Sequence, residues 1–171
     1  MGESELLRHE AMYVMGQMRV QRSFPFLVER MNDESEYPIV RHEAGEALAN
    51  YHHMKDQCIK EMQKHYDSDI SVLKSTVRVG IEKLKSFSED SRFGKKFGGT
   101  IEPAEPFSRD EVVEYLQSIG MNIAPVVEDE ILVQKIQSQL LRPYEDIDEY
   151  SKYRLVYYLR DLASEPAIDV I

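Results

Sequence analysis

Two pairs, each a histidine followed directly by a glutamate, are the residues best suited to bind a metal ion. His9-Glu10 and His42-Glu43 lie 33 residues apart. Neutral imidazole with carboxylate is the ligand set of non-haem iron, manganese or zinc, and the absence of thiolates favours the harder, oxygen-handling metals. We therefore expect His9, Glu10, His42 and Glu43 to bind metal. Glu10 and Glu43 are also the candidate catalytic residues, because either could complete the coordination sphere, bridge to a second ion or hold a substrate.

Helix packing offers a plainer explanation of the same residues. A glutamate in the first turn of a helix is stabilised by the helix dipole whether or not it binds anything. The third copy of the pattern, however, has Ser75-Thr76 in place of the pair. Since a repeat can pack without imidazole, the two paired histidines favour a function beyond packing. The other three, His52, His53 and His65, are predicted to lie near helix ends without a metal-binding role.

The pairs lie in a repeated unit. Residues 6–16 recur as residues 39–49, and both segments have apolar side chains spaced by three and four, as in an amphipathic helix. Between them, residues 23–31 predict another helix, with Ser23 as its N-cap and Pro25 in its first turn. The unit is helix, turn, helix with a period near 33 residues, which is typical of a helical solenoid.

Stacking of such units explains how two distant pairs could form one site. Equivalent helices of neighbouring repeats lie roughly 8 to 10 Å apart. His9 and His42 would occupy matching positions on two such helices. We therefore expect the two imidazoles to converge on one metal ion between the repeats.

After the second pair the helical pattern continues, is interrupted by a segment of different composition, and then resumes. Helical spacing persists to residue 85, so residues 1–85 are predicted to form the repeats that carry both pairs. Residues 86–107 are rich in glycine, proline, serine and charge and predict a linker. Residues 108–171 form a second helical region, in which Tyr153-Arg154 occupies the position of the histidine-glutamate pair.

Three helices are predicted in this second region. The first begins at Ser108, where Ser-Arg-Asp-Glu has the spacing of a capping box, and stops at Gly120. The other two span about residues 128–141 and 147–163.

Composition and charge exclude several classes of protein. The 171 residues include 31 Asp and Glu against 21 Lys and Arg, a formal net charge of −10. This charge argues against nucleic-acid binding, which uses clustered basic side chains. The chain is 42% hydrophobic, enough for a core, yet no stretch approaches the roughly 20 apolar residues of a membrane helix. A lone Cys58 excludes internal disulfides and thiolate metal clusters, and the absence of a secretory signal predicts a cytoplasmic location.

Several segments resemble a known enzyme family. Residues 7–11 read Leu-Arg-His-Glu-Ala, residues 14–18 read Val-Met-Gly-Gln-Met, and residues 38–48 read Pro-Ile-Val-Arg-His-Glu-Ala-Gly-Glu-Ala-Leu. Together these segments closely resemble the deoxyhypusine hydroxylase family. Residues 100–106 are similar to the connection between that family's two halves, and residues 153–160 look like the repeat that opens its second half.

The resemblance implies an all-α HEAT-repeat solenoid of stacked antiparallel helix pairs that acts as a monooxygenase. The family hydroxylates the deoxyhypusine side chain, an aminobutylated lysine, on eukaryotic translation initiation factor five-A. It uses a di-iron centre of Fe(2+) ions, with molecular oxygen as co-substrate, held between two halves that each contribute two pairs. Carried over by position, His9 and Glu10 match the first pair, and His42 and Glu43 match the second.

The family pattern also implies two further pairs. These would follow Tyr153-Arg154 by one and two repeats, so the sequence corresponds to repeats two to five of eight. Two histidines and two glutamates are too few ligands for two irons. Three interpretations follow: a chain truncated at both ends, a homodimer whose copies together supply four pairs, or a remnant that no longer hydroxylates.

Two other functions fit the repeat pattern. A HEAT-repeat scaffold would bind a partner protein on its concave face without metal. Enzymes of the phycobilin lyase type share similar repeats, although nothing in the sequence indicates a tetrapyrrole. Iron binding separates the hydroxylase from the scaffold.

Overall fold

The structure is a computed structural model that describes residues 4–87, 104–142 and 148–162. Every regular element in these ranges is helical. The α-helices described are α1 Glu5–Met18, α2 Phe24–Asn32, α3 Pro38–Leu48, α4 Lys55–Gln63, α5 Ser71–Ser86, α6 Arg109–Ser118, α7 Asp129–Leu140 and α8 Glu149–Leu162. Within the described ranges, none of them combines the length and the apolar character that crossing a membrane requires.

The chain divides into two compact units, Met1–Pro103 and Ala104–Ile171. In the first unit α3 packs against α1, α2 and α5, and α4 packs against α5. This is the arrangement of stacked helix pairs, with α1, α3 and α5 as consecutive equivalent helices. The core between them is made of apolar side chains that are almost fully buried: Met12, Leu27, Met31, Val40, Leu48, Met62, Leu73, Val77 and Leu84.

Helix α3 is the central helix of the first unit. Its buried residues include the charged Arg41 and Glu43 as well as apolar ones. Pro38 begins the helix, where its missing N–H and fixed φ cost little. The buried Arg41 donates from Nε to the Met31 carbonyl oxygen at 3.0 Å, which ties α3 to the end of α2.

Small residues set the distance between the stacked helices. A Cβ added at Gly16 would lie 2.8 Å from Ala47 Cα and 2.9 Å from its Cβ, so α1 and α3 are in backbone contact there. A Cβ at Gly80 would likewise lie 2.9 Å from Ala49 Cβ, where α5 meets α3. These contacts leave no room for a larger side chain without moving a helix.

The second unit has its own core. The predicted capping box is confirmed: Ser108 and Glu111 exchange hydrogen bonds at the start of α6. Gly120, just after the end of α6, has φ +87, the left-handed conformation that favours glycine. Arg154 donates to the Glu105 carbonyl oxygen at 2.9 Å and to Glu111 at 2.8 Å. The buried side chains of α6, α7 and α8 include Val112, Leu116, Leu132, Ile136, Leu155 and Leu159.

Within the described ranges the predicted helices agree closely with the structure, but α4 was not predicted individually and the start of α2 differs in its capping. Pro25 lies in the first turn of α2, as predicted, but Ser23 makes no side-chain capping bond. The reason is that a 3-10 turn, Gln21–Ser23, runs directly into α2, so the backbone of Ser23 is already helical. Most of the predicted linker, residues 88–103, lies outside the described residues, as do residues 163–171.

We predict that Gly16→Ala destabilises the first unit by about 1–3 kcal/mol, because the added methyl group overlaps the backbone of α3. Gly45→Ala is the matched control. A Cβ there would make ordinary contacts, 3.5 Å to Thr76 Cγ2 and 3.6 Å to Met31 Sδ. Both changes carry the same gain in helix propensity, of roughly 1 kcal/mol. Urea unfolding of the two variants measures the difference, and equal stabilities would contradict the close approach.

Candidate metal centre

The two predicted pairs occupy matching positions on neighbouring helices. His9 is the fifth residue of α1 and His42 the fifth residue of α3. Because α1 packs against α3, their imidazole rings face each other, with centroids 6.2 Å apart and planes inclined by 34°. The stacking predicted from the 33-residue period therefore does bring the two histidines together.

Glu43 completes a group of three candidate ligands. Its side chain is buried, and its Oε2 lies 3.1 Å from His9 Nε2 and 3.8 Å from His42 Nε2. One ligand atom from each of the three residues lies within 4.8 Å of the others, and this is the one such group of His, Cys, Asp and Glu in the described ranges. Two imidazoles and one carboxylate on a single side of an ion form the facial set of many non-haem iron enzymes.

Glu10 does not join this group. Its side chain is 58% exposed, and its Oε1 lies 3.4 Å from Nδ1 of His9. Glu10 lies beside Nδ1 of the His9 ring, whereas Glu43 lies beside Nε2, the nitrogen of His42 that Glu43 also approaches. Glu43 contacts His9 on the preceding helix of the stack. Glu10 lies on α1, the first helix that the structure describes, so the structure describes no preceding helix that Glu10 could contact in the same way. The assignment of Glu10 as a ligand or catalytic group stays a prediction.

The arginine before each pair positions the helix that carries the histidine. Arg8 forms two hydrogen bonds of 3.0 Å with the buried carboxylate of Glu36, in the turn before α3. Arg41 holds the Met31 carbonyl oxygen at the end of α2. The segment Arg-His-Glu thus combines an anchoring residue with candidate ligands, and the sequence alone did not separate these roles.

The surroundings of the site concentrate negative charge. Burial, together with the nearby carboxylates of Glu46 and Glu10, raises the pKa of Glu43 to about 7. Burial also raises the pKa of Glu46, against the effects of Lys83 and His9. Burial, with a smaller effect from His9, lowers the pKa of His42 and keeps its imidazole neutral. A neutral imidazole beside crowded carboxylates is suited to receive a cation.

Two imidazole nitrogens show how this group fits a metal ion. Among the described residues, the buried Nδ1 of His9 has no hydrogen-bond partner. His9 Nε2 faces Glu43, so a metal at Nε2 would let the ring carry its proton on Nδ1, towards Glu10. His42 Nδ1 lies 2.7 Å from Thr76 Oγ1 on α5. Thr76 is 33 residues after Glu43 and so occupies the equivalent position in the next repeat. In the sequence, this position is distinguished only by the lack of a glutamate.

Comparison with known proteins identifies relatives of the chain. No family model matches it. Human deoxyhypusine hydroxylase is 31% identical over 130 residues, covering 74% of this chain and 41% of the relative. The zebrafish (Danio rerio) deoxyhypusine hydroxylase is 28% identical over 172 residues, covering 97% of the chain and 48% of the relative. The chain therefore spans less than half the length of these curated relatives.

A solved structure confirms the fold class. The structure of human deoxyhypusine hydroxylase in complex with glycerol matches with a TM-score of 0.57 and 22% identity. The match covers 98% of this chain and 61% of the human one. The all-α HEAT-repeat fold predicted from the sequence is therefore confirmed.

We predict that the metal-free protein loses stability relative to a Glu43→Gln variant as the pH rises. The pKa of Glu43 is about 7 in the folded protein, above the ordinary value of 4.5. Its contribution to stability is therefore complete below pH 4.5 and is lost as the pH rises through 7. From pH 5 to pH 8, the free energy of unfolding of the unmutated protein should fall relative to that of the variant by on the order of 2 kcal/mol.

Denaturant unfolding in the presence of a chelator, at several pH values, measures this difference. Glu34→Gln, which removes an exposed carboxylate from the turn before α3, is the control. A pH-independent difference between Glu43→Gln and the unmutated protein would show that Glu43 is not buried in a negative environment.

Proposed function

Because this chain is homologous to the deoxyhypusine hydroxylases over nearly its whole length, we propose that it supplies metal-binding repeats of an enzyme of this kind. The proposed reaction is hydroxylation of the deoxyhypusine side chain on translation initiation factor five-A. The proposed cofactor is ferrous iron, with molecular oxygen as co-substrate, and the proposed location is the cytoplasm.

The convergence of His9, His42 and Glu43 is the observation that carries this proposal. The three ligand atoms come from two repeats and meet within 4.8 Å. Nitrogen and oxygen donors without thiolate suit ferrous iron better than softer metal ions. Bound iron would supply the activation of molecular oxygen, which no protein side chain can perform.

The chain's own residues would hold the ion and attract the substrate. His9, His42 and Glu43 bind the ion, and the carboxylate of Glu43 offsets part of its charge. The deoxyhypusine side chain is a cationic amine, for which an exposed carboxylate next to the ion is a suitable partner. We assign this role to Glu10, whose side chain is exposed beside His9.

Two irons would need more ligands than the described group provides. A second copy of the chain would bring another two pairs, so a homodimer with four pairs is the arrangement we propose for a di-iron centre. Iron content per chain, measured together with the mass in solution, tests it. A monomer that binds a single iron would exclude this arrangement.

We predict that the unmutated protein binds ferrous iron after anaerobic loading and that a His9→Ala, His42→Ala variant does not. Losing two of three ligands should remove binding altogether, because the remaining carboxylate is a weak monodentate ligand. His53→Ala, which removes an exposed histidine outside the group, is the matched control and should keep its iron. If the unmutated protein binds no iron, the scaffold function is the better account of the repeats.

We also predict different effects for the two glutamates. Glu43→Gln should weaken iron binding by at least about tenfold, since it replaces an anionic oxygen ligand with a neutral amide. Glu10→Gln should keep the iron but raise the KM for the deoxyhypusine-bearing factor by about tenfold, the cost of a lost charge-assisted hydrogen bond. Incorporation of isotopically labelled oxygen into the factor, followed by mass spectrometry, measures the reaction.

Glu5→Gln provides the control for the second variant, because Glu5 is an exposed carboxylate five residues earlier on α1. Loss of iron in the Glu10→Gln variant would instead make Glu10 a ligand. Iron binding without oxygen incorporation would retain the metal centre and contradict the catalytic part of the proposal.

A further inference from the structure

The imidazole of His42 is held by a residue from the next helix of the stack. Its Nδ1 lies 2.7 Å from the hydroxyl oxygen of Thr76. Thr76 is the sixth residue of α5, and Glu43 is the sixth residue of α3. The residue at this position therefore contacts the histidine of the preceding helix in both cases, 34 residues earlier in the sequence.

The two contacts differ in the nitrogen that they reach. Glu43 contacts Nε2 of His9 at 3.1 Å. Thr76 contacts Nδ1 of His42 and leaves its Nε2 facing Glu43, 3.8 Å from Oε2. The Nε2 atoms of both histidines are thus directed at the same carboxylate, and Thr76 lies on the far side of the His42 ring.

We propose that Thr76 is a positioning residue that accepts the Nδ1–H of His42 and thereby keeps the Nε2 lone pair directed at the metal position beside Glu43. The metal part of this inference rests on the proposed function. The proton position and the ring orientation are properties of the protein alone.

Metal binding at Nε2 requires one direction of the hydrogen bond, and the distances around the ring are consistent with it. A hydroxyl can donate or accept, so the 2.7 Å contact by itself allows either tautomer. If Thr76 donated, Nε2 would carry the proton, and Glu43 Oε2 at 3.8 Å is beyond hydrogen-bond distance. With the proton on Nδ1 the bond is satisfied and Nε2 keeps its lone pair, which is the form a metal ion requires.

The packing of Thr76 holds its hydroxyl in place. Its methyl carbon Cγ2 faces Gly45 on α3, 3.5 Å from where a Cβ would be. Gly45 lies three residues after His42 and therefore on nearly the same side of the helix. Since the two branches of a threonine are fixed by one χ1 angle, packing the methyl group against Gly45 also aims the hydroxyl at His42.

Two variants separate the hydroxyl from the shape of the side chain. Thr76→Val keeps the branched shape and the contact with Gly45 but removes the acceptor. Thr76→Ser keeps the hydroxyl and removes only the methyl group. Ser75→Ala, which removes a hydroxyl from the adjacent residue of α5, is the matched control.

The first measurement is the tautomer of His42 in the full metal-free chain, read from long-range proton–nitrogen NMR correlations above neutral pH. We expect Nδ1–H in the unmutated protein and in Thr76→Ser, and a mixture of tautomers in Thr76→Val. The second measurement is ferrous iron affinity under anaerobic conditions. We expect it to be about 10- to 100-fold weaker in Thr76→Val, the usual effect of removing a residue that orients a ligand. Thr76→Ser should restore most of it, and Ser75→Ala should not change it.

The outcomes distinguish this inference from the proposed function. A proton on Nε2 of His42 in the unmutated protein, or an unchanged tautomer in Thr76→Val, overturns the inference whether or not iron binds. An unmutated protein that binds no iron overturns the proposed function, and the tautomer then decides the role of Thr76. If iron binds and its affinity is the same in Thr76→Val, Thr76 does not position the ligand.

Discussion

The register of α3 between α1 and α5 is the constraint on which the candidate site depends. Gly16 on α1 lies against Ala47 of α3, and Gly80 on α5 lies against Ala49 at the C-terminal end of α3, with no room for a larger side chain at either glycine. A shift of one helical turn would move a side chain by about 5.4 Å. Such a shift would break the contact between Glu43 Oε2 and His9 Nε2, which are 3.1 Å apart. The small residues therefore determine the site geometry although none of them contributes a ligand.

Polar contacts between repeats support the same register. The buried Lys83 donates to Asn50 Oδ1 at 2.6 Å, and these residues lie 33 apart in the sequence. Asn32 and His65 form a 2.6 Å hydrogen bond with the same separation. Buried polar groups are costly when unpaired, so any slip between repeats would lose these bonds together. Apolar packing alone would tolerate a neighbouring register far better.

The sequence predicted the fold and part of the site because both follow from the repeat. Helical periodicity and the 33-residue recurrence were sufficient to predict stacked helix pairs and the meeting of His9 with His42. They could not show which glutamate joins them, because that depends on which neighbouring helix each side chain reaches. They also gave no sign of Thr76, since a hydroxyl at the register of a carboxylate shows its role only when its distance to a ring nitrogen is known.

Two buried glutamates, Glu36 and Glu43, have pKa values shifted in opposite directions. Burial would raise the pKa of Glu36, but the hydrogen bonds from Arg8 and the Tyr37 N–H lower it, so this carboxylate stays charged and anchors a turn. The exposed fraction of Glu43 is similarly small, but no arginine in the described ranges binds its carboxylate, and burial together with Glu46 and Glu10 raises its pKa to about 7. Burying a carboxylate without a cationic partner destabilises a fold. A carboxylate left in this state beside two imidazoles would be stabilised by a cation bound between them, which supports the proposed role of Glu43 as a metal ligand.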